Sequence, residues 1–225
     1  MNVLIVAAHP DDEIIGAGGM ACLHSLKGDH VHVLILSQGV TSRDNYGHQK
    51  IADLRGQTRQ ASKIIGFTTL EIEDFPDNQF DSLPLLQVVK TVEKYLLEWK
   101  PRVVYTHHGG DLNIDHQICY QAVLSSCRPC NPNCPDKLLT FETLSSTEWQ
   151  GTTTSPFLPN HYVDISSVLD RKIKAMQAYK SEICEYPHPR SEKGIQILAQ
   201  YRGLESGFRY AEAFQLIREL KQFSP

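Results

Sequence analysis

The chain has 225 residues, 41% hydrophobic and 21% charged, with a formal net charge of −4. Such a length suits one domain spanning 1–225, and the slightly acidic balance argues against nucleic acid or an anionic membrane surface as partner. No apolar run approaches the ~20 residues of a membrane span, so stable membrane insertion is not expected.

In chain order, Asn2–Ala7 reads as a first buried strand and 14–27 as a helix ending near Gly28. His30–Leu36 is the second strand, followed by a polar loop from Ser37 to Gly47 and a helix over 49–65 that stops at Gly66. Thr68–Ile72 is a short strand, Leu85–Trp99 a helix closed by Pro101, Val103–Tyr105 a buried strand and 113–126 a helix. Beyond these, Leu138–Leu144 and Tyr162–Ile165 read as strands. Val168–Lys180, 191–202 and 211–222 read as helices, the first capped by Ser166 or Ser167. The alternation of strand and helix predicts an α/β fold: a single Rossmann-like domain with a mostly parallel central sheet flanked by helices. With no signal-peptide pattern ahead of the first strand, a cytoplasmic location and six free cysteines are expected. Cys127, Cys130 and Cys134 have zinc-like spacing but lack a fourth ligand, so a surface loop is the expected reading.

Two polar clusters stand behind two strands. His9-Pro10-Asp11-Asp12-Glu13 follows the first, and His107-His108-Gly109-Gly110-Asp111-Leu112-Asn113-Ile114-Asp115-His116 follows Val103–Thr106. In α/β proteins ligands bind at the carboxyl ends of strands. His9, Asp12 and His116 supply two imidazoles and a carboxylate, a set that holds a catalytic metal and leaves a position open. At least one of His107 and His108 is expected to face the pocket. His188, in Tyr186-Pro187-His188-Pro189-Arg190, is expected on a rigid loop that closes over the site. Arg43, Asp44 and Asn45 are candidates for substrate contacts. Arg190 and Arg202 are expected on the surface.

With Asp115-His116 downstream, the strand-plus-HPDDE context resembles the PIG-L/LmbE-like zinc N-deacetylases. The resemblance extends over most of the chain, including Arg55, Pro76-Asp77-Asn78 and Tyr210-Ala211-Glu212-Ala213-Phe214. It implies His9, Asp12 and His116 as ligands of zinc, with ferrous iron compatible with the same donors. It also implies Asp11 as general base towards a metal-activated water, Asp115 as a residue that orients an imidazole, and Arg55 and Asp77 as substrate-binding residues. The implied reaction is removal of the acetyl group from an N-acetylated amino sugar or glycoconjugate. A homo-oligomer is compatible with the resemblance. Several family members carry histidine where this chain has Asn113, so the acid role falls on Asp11, His108 or His188. Hydrolysis of a non-sugar amide is the alternative enzyme. A nucleotide-binding module built on Gly16-Ala17-Gly18-Gly19 is the non-enzymatic alternative, disfavoured because its glycine spacing departs from G-x-G-x-x-G.

Overall fold

The elements are β1 (Asn2–Ala7), α1 (Asp12–Leu26), β2 (His30–Ser37), α2 (His48–Ile65), β3 (Thr69–Phe75), α3 (Leu85–Trp99), β4 (Val103–His107), α4 (Ile114–Ser126), β5 (Lys137–Phe141), β6 (His161–Asp164), α5 (Leu169–Ala178), α6 (Glu192–Ser206) and β7 (Ala211–Glu219). They come from a computed structural model that describes residues 1–42, 47–152 and 155–221. The seven strands form one sheet in the order β3-β2-β1-β4-β5-β7-β6. The five from β3 to β5 are parallel, whereas β7 runs antiparallel to both β5 and β6.

Period-two alternation explains why β1 lies inside the sheet. Val3, Ile5 and Ala7 enter one apolar cluster with residues of α1, α2, α5 and α6, while Leu4 and Val6 enter another with α3 and α4. Chain order reverses at β1, which has β2 on one side and β4 on the other. This switch point opens a crevice between the loops after β1 and β4, the usual ligand site of such sheets. Among the described residues no helix is long and apolar enough to cross a membrane.

Over Ala211–Glu219 a strand replaces the helix expected for 211–222. Ala, Glu, Gln and Leu favour a helix locally, but the segment fills the slot between β5 and β6 and satisfies a backbone ladder on both edges. Neither Ser166 nor Ser167 caps α5: its cap is Val168, and the Ser166 hydroxyl donates to Asp164 Oδ1 at 2.6 Å.

The glycines of the nucleotide-binding alternative lie inside α1 and serve packing. A Cβ at Gly16 would run into the Phe141 ring, and one at Gly19 would meet Ile165 and Glu212. Beside them Glu212 on β7 accepts the Gly19 and Met20 N–H groups, each at 2.7 Å. Lys172 on α5 donates to the Ile15 carbonyl at 2.8 Å and to Glu212 at 2.7 Å. A buried ion pair is thus built into the side of α1 and ties it to the last strand.

Candidate metal centre

The loop after β1 turns sharply. Asp11 has φ 106°, a left-handed conformation costing a non-glycine residue about 1–3 kcal/mol, and its carbonyl accepts the Ile14 and Ile15 N–H groups at the start of α1. The turn sends the adjacent Asp11 and Asp12 carboxylates apart. Asp12 Oδ2 lies 3.2 Å from His9 Nδ1 and 3.3 Å from His116 Nε2, the latter carried on the first turn of α4. One ligand atom from each of His9, Asp12 and His116 falls within 4.8 Å of the others.

The far side of each imidazole meets a carboxylate. His9 Nε2 lies 3.0 Å from Asp115 Oδ2, and Asp115 is itself held by the N–H groups of Asn78 at 2.7 Å and Phe80 at 2.9 Å. His116 Nδ1 lies 3.0 Å from Asp111 Oδ1, within ion-pair distance but off hydrogen-bond alignment. Asp111 is fully buried and also accepts the Asn113 N–H and the Ser146 and Thr147 hydroxyls. Carboxylates behind ligand imidazoles fix the ring and raise its basicity. His9, Asp77 and Asp115 also come within ligand distance of one another. That grouping needs the rear nitrogen of His9 and an Asp115 already committed to backbone, so the first set is the better donor set.

The electrostatics follow from this crowding. Burial pushes the His9 imidazole down, but its hydrogen bonds to Asp115 and Asp12 outweigh that and raise its pKa to about 10. Burial is likewise outweighed at His116, where Asp12 and Asp111 raise the pKa to about 9. Burial would raise Asp111, yet the adjoining His116 imidazolium and the Ser146 and Thr147 hydroxyls hold it down to about 2. His107 goes the other way, to about 4, through burial and the neighbouring His116 charge. Its Nε2 accepts the Ala8 N–H at 2.9 Å, so it offers no lone pair to a metal; it stacks on His116 with ring centres 3.9 Å apart.

A cavity of about 220 Å³ opens beside the cluster. Asp11, Asp12, Asp77, Asn113, Glu182 and Arg190 are among its lining residues. Burial, then the Asp12 charge, push the Asp11 carboxyl well above the usual range, opposed by Arg190, whose Nη1 donates to Asp11 Oδ2 at 3.1 Å. Asp77 accepts the Ser42 hydroxyl at 2.7 Å. Asn113 caps α4, its Oδ1 accepting the Asp115 N–H at 2.8 Å while its amide donates to Asn78 Oδ1 at 3.1 Å.

Other sequence-predicted residues stand apart from the cavity lining. His108 lies 2.8 Å from the Ser155 carbonyl and packs edge-on against Phe157. His188 accepts the Arg190 N–H at 3.1 Å through Nδ1, turning that nitrogen inward on its own loop. Neither His107 nor His108 lines the cavity, because one is committed beneath His116 and the other towards residue 155. Arg55 sits half-buried on α2 without lining it, its Nε buried and lacking a hydrogen-bond partner among the described residues. Arg202 pairs with Glu142 and Glu205. Arg43, Asp44 and Asn45 lie outside the described residues. The described residues bring none of the cysteines into a ligand set.

Sequence reasoning missed Asp111, Glu182 and the inward position of Arg190. Asp111 had a local signal, a carboxylate in the same Gly-rich loop as His116. The other two arrive from a distant loop and had none.

A sequence profile of the PIG-L family, described as GlcNAc-PI de-N-acetylase, matches residues 4–127, more than half of the chain. The chain belongs to the PIG-L family. Its relatives include the diacetylchitobiose deacetylase of Thermococcus kodakarensis, 27% identical over 96% of this chain and 83% of that protein. The 4-oxalmesaconate hydratase of Pseudomonas putida is 24% identical over 87% of this chain and 80% of the hydratase. The solved N,N′-diacetylchitobiose deacetylase of Pyrococcus horikoshii superposes with a TM-score of 0.78, at 22% identity over 96% of this chain and 83% of that one. That identity supports the shared PIG-L fold alone.

Proposed function

We propose that this PIG-L protein is a metal-dependent hydrolase that removes the acetyl group from an N-acetylated amino sugar. The observation that carries the reading is the convergence of His9, Asp12 and His116, with a carboxylate behind each imidazole, beside a buried Asp11 at the cavity wall. Two nitrogens and one oxygen suit zinc or ferrous iron, and we read zinc as the native ion. Such an ion would supply Lewis acidity, polarising the amide carbonyl and acidifying water.

The remaining chemistry belongs to the chain. Asp11 takes the proton of the attacking water, a role suited to a carboxylate whose pKa burial raises above the usual range. Arg190 holds that carboxylate in place. Asn113 cannot carry a proton, and His108 and His188 lie away from the cavity lining, so Asp11 returns the same proton to the departing amine. Asn113 keeps one amide N–H uncommitted among the described residues, a donor for the carbonyl oxygen as charge builds on it. Asp77 is the best supported substrate contact, and Asp115 and Asp111 orient the imidazoles.

Charge favours a deacetylase over a hydratase reading. Apart from the ligand imidazoles and the ion they would hold, the described lining offers an organic-acid anion one guanidinium, Arg190, already paired with Asp11 and Glu182, whereas Asp77 and Asn113 suit the hydroxyls of a neutral sugar. One sheet drawing strands from both halves of the chain supports reading 1–225 as one unit. The test is mass-spectrometric detection of acetate across a panel of N-acetyl sugars and simple amides, using zinc- and iron-loaded protein. Release from acetamido sugars is expected, and its absence from every sugar would sink the reading. Asp11→Asn is expected to lower kcat by roughly 10²–10⁴-fold while metal content stays the same.

A further inference from the structure

The cavity is smaller than the roughly 300–1,000 Å³ typical of small-molecule sites, so at about 220 Å³ it takes one compact ring and little more. Anything joined to that ring must leave over the rim. Two of the cavity walls are the loop after β5, which contributes Thr143–Ser146, and the loop between α5 and α6, which contributes Glu182 and Arg190. These walls meet through one ring contact. A 3-10 turn, Thr147–Trp149, continues from Ser146, and the Trp149 indole stands edge-to-face with the His188 imidazole, ring centres 6.1 Å apart. His188 precedes Arg190 by two residues and is hydrogen-bonded to its backbone. Trp149 is nevertheless 53% exposed, whereas the other tryptophan, Trp99, is 7% exposed in the core. A large apolar ring is thus left about half exposed, three residues from Ser146 of the cavity lining and held on one side by the His188 ring.

We propose that Trp149, braced by His188, is a stacking platform for a second pyranose ring joined glycosidically to the acetamido sugar in the cavity. This rests on the hydrolase reading above and narrows its substrate class to a neutral di- or oligosaccharide. An aromatic face matches the C–H face of a pyranose, and aromatic rings give large contact at little conformational cost. A nucleotide sugar or phospholipid would need cations, and beyond the ligand imidazoles His9 and His116 the described lining offers only Arg190, which is engaged by Asp11 and Glu182.

The test compares N-acetylglucosamine with its β1→4-linked disaccharide. In wild-type protein kcat/KM is expected to favour the disaccharide by about tenfold or more. Trp149→Ala should collapse that ratio towards one through KM, and Trp149→Phe should keep most of it. An unchanged ratio in Trp149→Ala overturns the proposal. Metal-free protein gives a second readout: the disaccharide should alter tryptophan emission in wild type and not in Trp149→Phe. If neither sugar loses acetate, the hydrolase reading fails, and the Trp149-dependent emission change alone upholds the platform or, by its absence, overturns it.

Discussion

Asp111 does for His116 what Asp115 does for His9, and the two carboxylates make the centre nearly symmetric about Asp12. Removing the Asp111 charge leaves His116 free to turn and less basic. Asp111→Asn is therefore expected to weaken zinc affinity about 10–100-fold, measured by competition with a chromophoric chelator. Asp111 also carries a stability signature. Its folded pKa of about 2 lies below the ordinary carboxylate value, so its contribution is present above about pH 4 and is lost as pH falls through 2. Acid unfolding of the metal-free protein should accordingly shift to higher pH in Asp111→Asn. At this scale the sequence was legible where chemistry is local. His9, Asp12 and His116 sit in two short runs directly behind apolar strands and come out of the spacing, while Asp11 and Asp115, in the same runs, were singled out through the family resemblance. Arg190 and Glu182 were illegible because nothing near them says which way their loop folds. His107 and His108 misled because strand alternation turns one under the site and the next away from it.

Among the elements, α1 departs most from an ordinary helix. Its N-terminus presents Asp11 and Asp12, and its flank is pierced by Lys172 and Glu212, both about 5% exposed at the side chain or slightly more. Glu212→Ala would strand a buried ammonium and two backbone N–H groups. We expect a loss of about 3–5 kcal/mol in urea unfolding, with Lys172→Met costing less because Glu212 keeps both backbone donors. The strand carrying Glu212 was misread because helix propensity is a property of the segment alone. Its real environment, an open ladder between β5 and β6, depends on residues about fifty to eighty positions earlier in sequence. The first half of the fold was easier to read, since β1, β2 and β4 each carry an apolar run and the helices between them end at clear stops such as Gly66, which takes a left-handed φ of 95°.

For the molecule as a whole, protons and metal compete. In the metal-free chain His9 and His116 titrate at about 10 and about 9, so both hold protons at neutral pH, while a metal requires their lone pairs. Zinc uptake near pH 7 should release about two protons, measurable by calorimetry in buffers of different ionisation enthalpy. Metal-free stability should respond in a fixed direction. The raised histidines contribute fully below about pH 6.5, their unfolded value, and that contribution is lost as pH rises through 9 to 10. Thermal melts of the metal-free protein should fall across that window, and those of the zinc form should not follow. The clamp on α1 adds an order of events. Every proposed ligand lies within the first 116 residues, yet the carboxylate that pins α1, the helix carrying Asp12, is Glu212 on the final strand. During synthesis the ligands leave the ribosome well before that strand exists. A chain ending before Ala211 should therefore bind zinc more weakly than the full chain in equilibrium dialysis. Metal capture would then report that the whole sheet has closed, making the ion a late seal on folding rather than its nucleus.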